Sequence, residues 1–216
     1  MSLIRKSIDA ANKLVQFEIK ESCQSVCLVF EGSAIPTLNQ LTATVELVSK
    51  NKRDEVLYRQ KLSLVKQLLR QFVPNMGYIL PLALDKNLKL SEDAYLRVTI
   101  VWEGTNPTSF GYKLNKVLGY TSVPLSIKEV RGGTIDTEYY PLLMVGAGVN
   151  SIDTVVMIED VDGVLKPEKV SLNRNYIDSM RPYNEDSTAI KFLPLFVTQN
   201  QKVEIEGDVA NYLINA

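Results

Sequence analysis

Five groups of residues in this 216-residue chain have types and spacings from which chemistry could be built. Gly146-Ala147-Gly148-Val149-Asn150-Ser151 approaches the Gly-x-Gly-x-x-Gly pattern that cradles a phosphate. Serine stands at the third position, and a strand-like run follows where a helix N-terminus is needed, so these residues read as a turn. Glu159-Asp160-Val161-Asp162-Gly163 sets three acids before a glycine, as a calcium loop does. The distant glutamate and flanking helices of such a loop are missing. Asp-Gly at a hairpin tip explains the run more simply, with an opportunistic surface Ca2+ as the alternative. Cys23 and Cys27 would lie about 13 Å apart on one strand face, beyond the roughly 7 Å reach of a disulfide. They read as small apolar side chains. Lys50, Lys52 and Arg53 are offset by Asp54 and Glu55, the composition of an exposed hairpin tip. Nucleic-acid readout would interleave more bases with aromatics. Trp102 near Tyr95 could offer a sugar-stacking platform, but on a strand it shares a face with Ile100 and Val98, which is a core pattern.

The chain contains no histidine. That removes Ser-His-Asp and Cys-His nucleophilic sites, histidine general bases, and nearly all catalytic zinc and non-haem iron sites. No residue is put forward as catalytic, cofactor-binding or metal-ligating, and the chain reads as a non-enzyme. A hydrolase or lyase working through carboxylates and tyrosine is the enzymatic alternative, though no acid pair sits in a recognisable catalytic context. The 25 acids and 24 bases leave a net charge of −1, which supplies no electrostatic reason for nucleic-acid binding. No apolar run approaches the roughly 20 residues of a membrane-spanning helix, and Met1–Lys6 lacks the apolar stretch of a secretory signal. A protein made and used on the cytoplasmic side, or released by lysis, is expected.

The elements that must position these residues occur twice. Residues 63–74 and 171–182 align without a gap, Ser63 with Ser171 and Pro74 with Pro182. Each reads as a serine N-cap, one apolar helical face and a proline stop. Leu64, Leu68, Leu69 and Phe72 form the first face, and Leu172, Tyr176, Ile177 and Met180 the second. A hydrophobic strand, a second strand and a polar turn precede each helix. A run centred on Leu-Pro-Leu follows it, at 78–84 and again at 190–197. Residues 1–17 place Leu3, Ile4, Ile8, Ala11, Leu14 and Val15 at roughly helical spacing. An N-terminal arm or helix spanning 1–19 is therefore expected. It would pack on the body or on a neighbour, or touch an anionic membrane through Arg5, Lys6 and Lys13. The first β-unit is expected over 20–104, a structured connector over 105–138, and the second unit over 139–216 with a short tail from Asn211. The prediction is an all-β protein of two tandem β-sandwiches, each with one short helix.

Leu41-Thr-Ala-Thr-Val-Glu-Leu47, the polar turn, Tyr58 and the following helix resemble the first roll of the double jelly-roll major capsid proteins of tailless icosahedral viruses. Tyr139 to Glu159, with Ala147-Gly148-Val149 between strands, resembles the start of the second. In size and strand rhythm the chain is similar to the small versions in membrane-containing bacteriophages of the corticovirus and finnlakevirus types. The resemblance spans about residues 20–214 and rests on pattern and order. It implies two jelly rolls, a homotrimer acting as a pseudo-hexameric block, an icosahedral shell over an internal membrane, and assembly in the host cytoplasm into the virion. The partners implied are other copies of the chain, other capsid proteins, and the membrane through the N-terminal arm. The alternative reading is a β-sandwich recognition module, such as a viral spike or carbohydrate-binding domain.

Overall fold

The computed structural model describes residues 2–50, 52–70, 72, 76–137, 139–159, 162–179, 192–197 and 202–215. The chain divides into two compact units, Met1–Ser126 and Ile127–Asn215. In the first, the strands are β1 (Ile4–Lys6), β2 (Leu14–Ile19), β3 (Ser25–Glu31), β4 (Leu41–Ser49), β5 (Glu55–Lys61), β6 (Ile79–Pro81), β7 (Asn87–Leu88), β8 (Ala94–Trp102), β9 (Ser109–Asn115) and β10 (Tyr120–Thr121), with helix α1 (Leu62–Leu69) after β5. Two four-stranded sheets run in the orders β1-β9-β3-β6 and β2-β8-β4-β5. Leaving aside the short parallel pair β7–β10, the eight sandwich strands in chain order give 1-8-3-6 and 2-7-4-5. That is the jelly-roll order, two Greek keys folded into facing sheets.

The second unit repeats it. Its strands are β11 (Ser126–Val130), β12 (Gly133–Asp136), β13 (Leu142–Gly146), β14 (Ser151–Glu159), β15 (Leu165–Asn173), β16 (Phe192–Phe196), β17 (Lys202–Glu206) and β18 (Asn211–Asn215). The sheets β11-β18-β13-β16 and β12-β17-β14-β15 again give 1-8-3-6 and 2-7-4-5. Helix α2 (Arg174–Ser179) lies between the fifth and sixth strands, as α1 does in the first roll. The fold is all-β, two tandem jelly rolls each with a short helix.

Alternation builds both cores. Val15, Phe17 and Ile19 on β2 and Val98, Ile100 and Trp102 on β8 point between the sheets and are buried. Phe17 on β2 stacks on Tyr112 of β9 with ring centroids 4.3 Å apart and meets Phe110 of β9 at 5.8 Å, so aromatic rings join the two layers. The second core is aliphatic: Leu143, Val145, Ile152, Ile177, Val203 and Leu213. On the opposite face of the same sheet, Leu142, Met144, Tyr212 and Ile214 are also buried, so both faces of that sheet are apolar.

Two edge strands carry protection. Among the described residues, β6 and β16 each pair on one side only, with β3 and β13, and each carries a proline, Pro81 or Pro194. Proline has no amide to donate, so it suits an edge strand and blunts pairing with another chain. Buried Tyr58 on β5 donates its hydroxyl to the Pro81 carbonyl at 2.8 Å, tying the edge strand of one sheet to that of the other.

Several expectations are corrected. The arm or helix expected over 1–19 instead holds the first two strands of the first roll, Ile4–Lys6 and Leu14–Ile19. Period-two alternation at Val15, Phe17 and Ile19 outweighs the looser helical spacing upstream. Asp9 and Leu14 exchange backbone hydrogen bonds of 2.9 and 3.1 Å around a turn in which Lys13 takes φ +52°. Gly111 lets β1 close on β9, because a Cβ there would stand 3.0 Å from the Ile4 carbonyl oxygen. The expected connector at 105–138 contains the eighth strand of the first roll and the first two of the second. The expected tail from Asn211 is β18, paired with β13 inside its sheet.

The helix caps also differ. Ser63 lies inside α1, whose N-cap is Lys61. Ser171 lies in β15, and Asn173 caps α2 by accepting the Tyr176 amide at 3.0 Å. The buried face of α1 is Leu62, Val65, Leu68 and Leu69, with Leu64 and Phe72 only half-buried. On α2, Ile177 is buried but Tyr176 points outward, 53% exposed. Pro74, Met180 and Pro182 lie outside the described residues.

Candidate functional site

The glycine pair occupies a turn. Gly146 ends β13, Gly148 takes φ +97°, and β14 rather than a helix follows. Asn211, fully buried, accepts the Gly146 amide at 2.9 Å and donates to the Val209 carbonyl at 3.0 Å. The Gly146 amide therefore serves the fold rather than a phosphate. Asp162 and Gly163 lie in the hairpin between β14 and β15, and Gly163 has φ +72°. Asp160 and Val161 lie outside the described residues, and among the described residues no group of three ligating side chains could hold a metal ion. Lys52 and Arg53 are exposed in the turn joining β4 to β5. Trp102 is buried and donates its indole N–H to Asn106 at 3.0 Å. Cys23 and Cys27 are both free, and burial pushes the Cys23 thiol up to about 11. A thiol held protonated is a poor nucleophile.

Alternation and register create one carboxylate cluster that sequence spacing could not reveal. Asp153 on β14 lies opposite Glu204 on β17, and Ser151 lies opposite Glu206. With Gly133 and Thr134 they line a shallow depression of about 360 Å³. Ser151 donates to Glu206 at 2.9 Å. A hydrogen bond from Ser171, with Lys169 nearby, holds Asp153 below the usual carboxylate range. General acid catalysis needs a carboxyl shifted the other way, so Asp153 is not tuned for it. A second depression, of about 620 Å³, lies beside α1; its charged lining residues are Lys66 and Arg70, with no carboxylate among them.

The surface offers contacts instead. Val56, Tyr139 and Phe196 are exposed, Phe196 to 77% on the edge strand β16. In the first roll, Val117, Leu118, Tyr120 and Val123 fall within eight positions after β9, and Leu118 is 95% exposed. That loop is clamped by buried Asn87. The Asn87 side-chain amide donates to the Val117 carbonyl at 2.6 Å and the Gly119 carbonyl at 3.1 Å. Its side-chain oxygen accepts the Val117 amide at 3.0 Å, and its backbone amide donates to Gly119 at 3.1 Å. The Lys89 amide donates to Thr121 at 2.8 Å. Sequence reading passed over Asn87, although a polar residue beside a buried leucine is the signal that could have marked it.

No family model matches the chain, and no curated protein matches it. Among solved structures, the chain is similar to the STIV major capsid protein, 10% identical over 99% of this chain and 93% of that one, with a TM-score of 0.44. At that level the jelly-roll assignment rests on the strand orders of the chain itself.

Proposed function

We propose that this protein is a structural shell subunit, a non-enzymatic major capsid protein of a tailless bacteriophage, with a homotrimer as its working unit. The observation that carries this reading is the duplication. Each half completes the same eight-strand order and places its helix in the same connection. Two like rolls per chain let a threefold trimer present six similar rolls and near-sixfold edges, the geometry that tiles a closed shell. Trimers would be built in the host cytoplasm and end in the virion, with other copies of the chain as the principal partner. Native mass spectrometry of the purified chain tests this reading. The expected species has three times the 24.2 kDa chain mass, about 73 kDa, and grows into larger assemblies with concentration. A monomer persisting at high concentration, together with saturable glycan binding, would support the recognition-module alternative instead.

A further inference from the structure

One face of α1 packs inward, and the opposite face borders the depression beside it. Leu62, Val65, Leu68 and Leu69 are buried. Ser63, Lys66, Gln67 and Arg70, at i, i+3, i+4 and i+7, line the cavity of about 620 Å³. Arg70 is the helix C-cap and keeps helical backbone angles, φ −53° and ψ −35°, so it stays in line with Lys66 one turn earlier. Leu38 and Asn39 line the cavity from the 38–40 turn, on which α1 packs, and buried Met76 adds an apolar surface.

A cation near the end of a helix is ordinary, since it meets the negative end of the helix dipole. Here two cations one turn apart share a cavity that no acid lines. Five other bases of this roll, Arg5, Lys20, Lys61, Arg97 and Lys116, each reach a carboxylate at 2.7–3.3 Å. Lys66 and Arg70 reach none among the described residues, and no acid occurs in the sequence between Arg70 and Met76. Asn39, Ser63 and Gln67 add two amides and a hydroxyl, and among the described residues these side chains have no hydrogen-bond partner either.

Two positive charges flanked by hydroxyl and amide donors match a phosphate group. Arginine presents a planar fork of N–H donors to its oxygens, and lysine presents a compact charge. A bare phosphate would fill only a fraction of the cavity, whose size falls within the roughly 300–1,000 Å³ of small-molecule sites. Leu38 and Met76 offer contact to an uncharged body attached to that phosphate. We propose that the depression beside α1 is a binding site for a small phosphorylated molecule, its phosphate held by Lys66 and Arg70 and its body lying against Leu38 and Met76.

The test is isothermal titration calorimetry of the full chain, in low salt, with phenyl phosphate, inorganic phosphate and phenol as probes. Phenyl phosphate should bind saturably and more tightly than inorganic phosphate, and added salt should weaken it. Phenol, which lacks the anion, should not bind. Lys66→Gln combined with Arg70→Gln should weaken phenyl phosphate binding roughly tenfold or more. Its melting temperature should be unchanged, because both side chains are exposed. Lys113→Gln, at an exposed base on β9, should bind as the native protein does. No saturable binding of either phosphate, equal affinity for the two, or undiminished binding by the double variant would overturn the site. So would equal weakening by Lys113→Gln, which would mark a general effect of charge. The cavity lies within the first roll, so a monomer that binds would uphold the site while refuting the shell reading.

Discussion

Truncating Leu68 to alanine tests the packing of α1, and comparing Leu64 with Val65 separates the helix face seen in the structure from the one read off spacing. Leu68 on α1 is fully buried, and the helix packs on β4, β5 and the 38–40 turn. The substitution removes three carbons, worth about 2.4 kcal/mol at roughly 0.8 kcal/mol each. The cavity left behind raises the expected loss to about 3–5 kcal/mol, because β4 and β5, on which the helix packs, are held by their ladder and cannot collapse inward. Leu64, which spacing also assigned to the core, is half-buried. Leu64→Ala should cost about 1 kcal/mol or less. Val65 was passed over by spacing but is fully buried, so Val65→Ala should cost more than Leu64→Ala despite removing less. Urea melts followed by far-UV circular dichroism provide the assay, with midpoints compared at constant slope. A Leu68→Ala loss below about 0.5 kcal/mol, or equal losses for Leu64 and Val65, would refute this packing.

Tyr58→Phe should cost about 1–3 kcal/mol by leaving a buried carbonyl short of a donor. Burial raises the Tyr58 pKa well above 10.0, so the stability it contributes is complete below pH 10 and falls as pH rises beyond it. Alkaline melts of the native protein should show that loss and Tyr58→Phe should lack it; identical pH profiles would count against the assignment. Asn87→Ala should expose the 116–123 loop to limited proteolysis while the two cores stay protected, and unchanged cleavage would mean the clamp is not what orders the loop. Hydrogen bonds from Ser109 and then Arg5 hold Glu31 below its usual 4.5, so β1 should lose amide-exchange protection as pH falls below that value. Glu31→Gln should make that protection independent of pH, and a persistent acid transition would point to another group. Deleting residues 1–16 removes β1 and buried Val15 and should unfold the first roll, visible as loss of its near-UV signal; a native-like spectrum would contradict the β1–β9 pairing.

The middle of each roll was legible in sequence and its ends were not. The third, fourth, sixth and seventh strands show as apolar or alternating runs bounded by turns, as at Val26–Phe30 and Leu41–Val48, and the helix between the fifth and sixth strands repeats visibly; β15, largely polar, was passed over, and its end was read as the start of the helix. The first, second and eighth strands were misread in both copies, for local reasons. β1 has only three residues, and Leu3, Ile4 and Ile8 counterfeit helical spacing. β9 alternates Phe110, Tyr112 and Leu114 but carries Gly111 within it, and turn residues surround it. β18 is buried on both faces and so shows no alternation to find. These strands find their partners across long sequence separations, such as Ile4 with Tyr112, which no window of neighbouring residues reports. Tyr176 failed for another reason: α2 has six residues and starts at Arg174, so the face inferred for a longer helix was rotated. The exposed Leu118 was invisible because its meaning depends on Asn87, thirty-one positions earlier.

Negative-stain microscopy of the purified protein bears most directly on the central claim. The account predicts particles with threefold symmetry whose class averages show six similar densities in a ring, two from each chain, alongside closed or curved assemblies at higher concentration. Single two-lobed particles at every concentration, with no ring and no assembly, would contradict it.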